Sequence, residues 1–151
     1  MKESLILIFS LIFGLSTFSQ KDSIRGNKFQ LTGKIKTKVQ MTPHCGTIAW
    51  GTVVEFTIIE LNGMTYKNKS IGIIITCPEF YKEGFFEKGQ AYQVVFSDKN
   101  QADFGWAILN RDLLIKNSLP FAPYAVSVKK IRDAANIRSA KADKRQSIQN
   151  K

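Results

Sequence analysis

The chain is poor in residues that carry out chemistry. Its 151 residues include one histidine, His44, and two cysteines, Cys45 and Cys77. A structural zinc site wants about four ligands at matched spacing, and only His44, Cys45, Cys77 and Glu79 are available to gather into one. A Cys–His nucleophilic pair needs the imidazole within hydrogen-bond reach of the sulfur and a third group to orient it. His44 and Cys45 are adjacent, so in extended chain they point apart, and there is no second histidine. Glycine-rich phosphate loops, serine nucleophile elbows and zinc-protease helix motifs are absent, as are internal repeats and low-complexity tracts. Acidic charge is also scarce, with 12 Asp and Glu against 22 Lys and Arg and a net charge of +10.

Long apolar runs are confined to one place. Lys2 precedes a nearly apolar stretch from Leu5 to Leu15, and small residues follow to Ser19. A spanning helix needs about 20 apolar residues; here Gly14, Ser16 and Thr17 interrupt the run. A basic start, a short apolar core and a small-residue site are the parts of a secretory leader. Residues 1–19 are therefore expected to be a signal peptide cleaved near Ser19/Gln20, with an uncleaved anchor as the alternative. Neither cysteine is near enough to carry a lipid at the new N-terminus. The mature chain, residues 20–151, is expected to be secreted or periplasmic, with no transmembrane span, and long enough for one core.

Export sets the reading of the cysteines, since an even pair in an oxidising compartment is most often one disulfide. Geometry supports the pairing. Asn62-Gly63, flanked by β-branched and apolar residues, signals a hairpin. A turn there places residues whose numbers sum to about 125 opposite one another, so Cys45 falls near Phe80 and Cys77 near Ile48. Small slippage brings the two Cα atoms within the roughly 7 Å that a disulfide requires.

The remaining pattern is mostly β. Residues 20–27 are polar and expected to be loose. Phe29, Leu31, Ile35, Val39 and Met41 alternate with polar residues, and Gly33 falls where an inward side chain is due, marking a bulge or bend. A second strand carries Ile48, Trp50, Val54, Phe56 and Ile58. A third, Ser70–Cys77, is apolar on both faces and so should be central. Residues 79–88 suggest a short helix or helical turn with Phe80 and Phe85 or Phe86 facing inward. Glu79, Glu83 and Glu87 would form a solvated acidic stripe along it. Tyr92, Val94 and Phe96 mark a fourth strand, Phe104, Trp106 and Ile108 an edge strand, and Tyr124, Val126 and Val128 the last. The stretch Asn110–Pro120 is ambiguous between a helical turn and irregular chain.

This order resembles the OB-fold. The expected class is all-β with minor α, a five-stranded OB-like Greek-key barrel over residues 28–130 with a short helix between strands 3 and 4. His44-Cys45-Gly46 before strand two, Cys77-Pro78-Glu79 after strand three, and Phe86-x-x-Gly89-x-x-Tyr92 before strand four resemble secreted netrin modules and tissue inhibitors of metalloproteinases. The inhibitors of that group chelate zinc through an N-terminal cysteine, and a mature chain starting at Gln20 lacks one. That mechanism does not carry over.

The expected function is a non-catalytic binding module for an extracytoplasmic protein or glycan, without a cofactor or metal. The long segment from Ser97 to Tyr124 is the expected docking element, with Phe104, Trp106, Phe121 and Tyr124 as candidate ligand-binding residues. The other reading of those aromatics is a cover for an open barrel end. Nucleic acid is not an expected partner, since export removes it from reach. Eight Lys and Arg from Lys129 onward face only Asp133 and Asp143, so the tail, residues 131–151, is either a solvated segment or a contact for an anionic surface. Two further alternatives are a small thiol- or metal-dependent enzyme built on His44, Cys45 and Cys77, and an envelope-associated structural protein held by the basic tail.

Overall fold

The computed structural model describes residues 24–131; the expected leader and the tail beyond Ile131 lie outside them. Six strands are present among the described residues: β1 (Lys28–Ile35), β2 (Trp50–Asn62), β3 (Ser70–Thr76), β4 (Ala91–Ser97), β5 (Ala107–Leu109) and β6 (Tyr124–Lys130). A helix, α1 (Asp112–Asn117), joins the last two. β1 pairs antiparallel with both β2 and β4, β2 with β3, and β4 with β6. One parallel link closes the ring, where Ile74 of β3 faces Tyr124 of β6 and donates its N–H to the Pro123 carbonyl at 2.8 Å. The result is a closed five-stranded, all-β OB-like barrel. The short β5 lies outside the ring, parallel to the start of β2.

Period-two alternation sends one face of each strand inward. Phe29, Leu31 and Ile35 of β1, Val54 and Phe56 of β2, and Ile71, Ile73 and Ile75 of β3 meet Tyr92, Val94 and Phe96 of β4 and Val128 of β6 in one buried cluster. Gly33 occupies an inward position and the register of β1 against β2 shifts beside it, between Thr32 and Gly33. A Cβ there would lie 2.9 Å from the Thr57 carbonyl oxygen and 3.2 Å from the Phe56 Cβ. Glycine is required because the bulge brings the β2 backbone against β1.

A second bulge, between Val95 and Phe96 of β4 against β6, resets the alternation of the last strand. Val128 is buried while Val126, expected on the same face, is exposed. The first strand is also shorter than its pattern. Alternation runs on to Met41, but the ladder ends at Ile35 because residues 36–49 turn away across the barrel end, and Met41 and Ile48 are exposed.

β3 is buried on both faces, as its sequence requires. Ile71, Ile73 and Ile75 face the barrel interior. Gly72 lies against the Leu113 carbonyl and the Asn117 side chain of α1. Helix α1 is thus the outer cover of β2 and β3.

The hairpin register differs from a tight turn. Gly51 faces Thr76 and Thr57 faces Ser70, because β2 continues to Asn62 against Gln30 of β1 and residues 63–69 form a longer loop. The link from β3 to β4 holds one 3₁₀ turn, Pro78–Phe80, entered through Cys77 in the left-handed region at φ 43. Phe80, expected inward, is 66% exposed. The turn ends at Tyr81, which is extended, and Gly84 and Gly89 take positive φ in the chain that follows. Phe85 and Phe86, adjacent in sequence, instead join Tyr81 and Tyr92 in an aromatic cluster at one barrel end.

Candidate functional site

Three constructions outside the core carry the polar chemistry of the described residues. The first is a clamp around the cysteines. Cys45 and Cys77 form a disulfide with Cα atoms 5.7 Å apart, and the Cys77 N–H donates to the Trp50 carbonyl at 2.9 Å. Glu79 adds a second tie across the same two segments, accepting the Cys45 N–H at 2.5 Å and the Thr42 hydroxyl at 2.8 Å. Burial pushes the Glu79 carboxyl up. The N–H groups of Cys45 and of Glu79 itself, the Thr42 hydroxyl and the nearby His44 outweigh it and leave the group below its ordinary value.

The three carboxylates expected on one solvated stripe therefore separate. Glu79 is a structural acceptor, Glu83 is exposed, and Glu87 pairs with Lys130 at 3.0 Å. Donor atoms of Cys45, Cys77 and Glu79 lie within 4.8 Å of one another, but with both sulfurs in the disulfide no thiolate remains to bind a metal or attack a substrate. His44 is exposed and packs edge-on against Phe80, with ring centroids 5.6 Å apart.

The second construction is a buried carboxylate. Glu55 points outward from β2 beneath α1 and is fully buried. Its Oε1 accepts from Lys36 Nζ at 3.1 Å, Lys116 Nζ at 3.3 Å and the Ser70 hydroxyl at 3.2 Å, while Oε2 has no partner. Asn117 is buried beside it. Its Oδ1 lies 3.4 Å from Ser70 Oγ and its backbone carbonyl accepts the Tyr66 hydroxyl at 2.5 Å. Burial raises the Glu55 carboxyl, yet the lysine hydrogen bonds and charge, with Ser70, hold it below its ordinary value. The sequence carries a faint signal for this residue: one acid inside the apolar run Val53–Phe56, in the outward register. The partner Lys116 comes from a segment whose structure the pattern left open.

The third construction is the loop 98–106, where two of the four candidate ligand-binding residues sit. Asn100 organises it. Its Oδ1 accepts from Trp106 Nε1 at 2.9 Å and from the Ala102 N–H at 3.0 Å, and its Nδ2 donates to the Phe104 carbonyl at 2.6 Å. Arg25 fastens the loop from outside, donating its N–H to Gln101 at 2.9 Å and its guanidinium to Asp103 at 2.6 Å. Phe104 and Trp106 pack together with ring centroids 5.1 Å apart, Trp106 half-buried and Phe104 55% exposed.

The other two candidates stand elsewhere. Phe121 stacks on Phe29 at 5.5 Å and packs against the core, so it covers the barrel end. Tyr124 is half-buried in β6, held in ladder positions opposite Ile74 and Ser97.

No helix of the described residues is long and apolar enough to cross a membrane. No protein-family model, curated protein or solved structure matches this chain.

Proposed function

We propose that the protein is an exported, non-catalytic OB-like binding module that recognises a protein or a glycan through the loop 98–106. The observation that carries this reading is an exposed aromatic on a fastened loop. Phe104 projects from a segment whose backbone and neighbours are held by Asn100, Gln101 and Asp103. An apolar ring left in water on an ordered frame loses little conformational entropy on binding, which is the physical basis of an anchor residue. The disulfide and the leader pattern of residues 1–19 support export. The netrin-like arrangement around His44–Gly46 and Cys77–Glu79 agrees with a secreted module whose loops dock a partner.

The test is cross-linking and capture from an extracytoplasmic fraction with the oxidised mature protein and its Phe104→Ala and Trp106→Ala variants. Loss of the same captured species in Phe104→Ala, with an unchanged melting temperature, supports the reading. Undiminished capture by a folded Phe104→Ala protein refutes it. N-terminal sequencing of the protein from its native host should begin at Gln20; recovery with Met1 still attached refutes leader cleavage.

A further inference from the structure

A second surface, distant in sequence from the loop 98–106, goes beyond that reading. The ridge Lys82–Phe85 separates two clefts at the barrel end where the chain leaves β6. One, of about 250 Å³, has Val39, Met41, Phe85 and Phe86 in its wall with Lys38 and Lys88 beside them. The other, of about 520 Å³, lies between Lys82–Phe85 and Val128–Lys130. Together they are lined by five lysines and a single acid, Glu83, while Lys130 also pairs with Glu87, which lies outside both linings, at 3.0 Å. Lys38, Lys82, Lys88 and Lys129 are exposed, and none of the four takes part in an ion pair among the described residues.

We infer that this double cleft binds an acidic polysaccharide, one pyranose ring to each side of the ridge, with the lysines taking its carboxylate or sulfate groups. Single exposed ion pairs are weak because water screens them, so recognition here needs several charges spaced along one ligand, as a polymer supplies. The exposed Met41 and half-buried Val39 beside the lysines, with the edge of Phe85 shared by both clefts, offer apolar contact to the C–H groups of a sugar without ring stacking. A flat lipid surface would meet the ridge and miss the clefts, whereas a linear chain crosses it.

The same rings disfavour nucleic acid. Bases need an open aromatic face for stacking, but Phe85 and Phe86 meet edge-on at 4.9 Å and 86°, and both pack into Tyr81 and Tyr92. Their faces are spent on one another.

The experiment uses the full oxidised chain on immobilised heparin, a sulfated uronate polymer, with salt titration of the bound fraction. Variant Lys38→Gln/Lys82→Gln/Lys88→Gln is compared with Lys28→Gln/Lys67→Gln/Lys69→Gln, which removes equal charge elsewhere, and with Arg138→Gln/Lys141→Gln/Lys144→Gln/Arg145→Gln in the tail. All are checked for an unchanged melting temperature. The cleft variant should bind at least about tenfold more weakly, and the elsewhere variant within about threefold of the parent. Equal losses in the cleft and elsewhere variants would show diffuse attraction and overturn the inference, as would loss confined to the tail variant. Tighter binding of a single-stranded oligonucleotide than of heparin in solution would also overturn it. Phe104→Ala, which tests the loop 98–106, should leave heparin binding intact, so either proposal can fail without the other.

Discussion

Glu55 offers the sharpest test of how the outer face of the barrel is held. The carboxylate is fully buried, three donors converge on Oε1, and Oε2 has none. Substitution by Gln removes the charge but keeps the shape. The amide then places an N–H₂ where no acceptor stands, and an unsatisfied buried polar group costs about 1–3 kcal/mol. Lys36 and Lys116 also lose their counter-ion, but their side chains are 43% and 57% exposed and can rehydrate, so this adds at most about 1 kcal/mol. Glu55→Gln should therefore lose about 2–3 kcal/mol. Glu55→Met removes both the buried charge and the orphan oxygen and leaves no unsatisfied buried group of its own, while Lys36 and Lys116 rehydrate as in the Gln variant at a cost of at most about 1 kcal/mol. It should fall within about 1 kcal/mol of the parent.

The ordering of those two variants is the prediction, read by urea unfolding at pH 7. A Gln variant as stable as the parent, or a Met variant less stable than the Gln variant, would refute the account. Acid supplies an independent check. The Glu55 and Glu79 carboxyls both lie below their ordinary 4.5 in the folded protein. A depressed pKa adds stability that is present above the unfolded value and is lost as pH falls through the folded value. Unfolding free energy should thus be level above about pH 5 and decline below about 4.5, and Glu55→Met should shallow that decline. An acid limb of unchanged steepness in Glu55→Met would remove Glu55 from it.

Three further outcomes follow from the packing. Cys45 and Cys77 are separated by 32 residues, so Cys45→Ser/Cys77→Ser should lose roughly 3–4 kcal/mol on the loop-closure model; oxidised and reduced parent proteins melting within a few degrees of each other would contradict it. Gly33→Ala forces a Cβ to 2.9 Å from the Thr57 carbonyl oxygen and should destabilise by about 2–3 kcal/mol. Gly46→Ala, with nothing within 4 Å of the added atom, serves as its silent control, and equal melting temperatures for the two variants would refute the close approach. The Tyr92 hydroxyl donates to the Phe85 carbonyl and accepts the Glu87 N–H at 2.9 Å. Tyr92→Phe should therefore cost about 1–3 kcal/mol and speed hydrogen exchange at Glu87, and an unchanged exchange rate there would show the bond to be idle.

The sequence by itself determined the barrel and the cysteine pairing, because both rest on local patterns. Alternation placed the inward side chains of β1, β3 and β4, Gly33 announced its bulge, and the two-sided apolar run of β3 marked a strand covered on both faces. An approximate hairpin register was enough to bring two cysteines within bonding range. Only the tertiary structure decided what periodicity cannot encode. The bulge at Val95/Phe96 turns Val126 outward by pairing across strands, and nothing in Tyr124–Val128 itself signals it. The three glutamates of residues 79–87 look equivalent on a helical wheel, but the chain becomes extended at Tyr81 and turns at Gly84, so Glu79 faces the Cys45 segment, Glu83 solvent and Glu87 Lys130. Phe121 and Phe104 are both aromatics on one long connection, yet one closes the barrel against Phe29 while the other stands in water. Glu55 is buried by a helix 57 residues further along the chain. Such contacts depend on which segments the closed sheet brings together, and that is fixed by chain topology and packing over the whole domain.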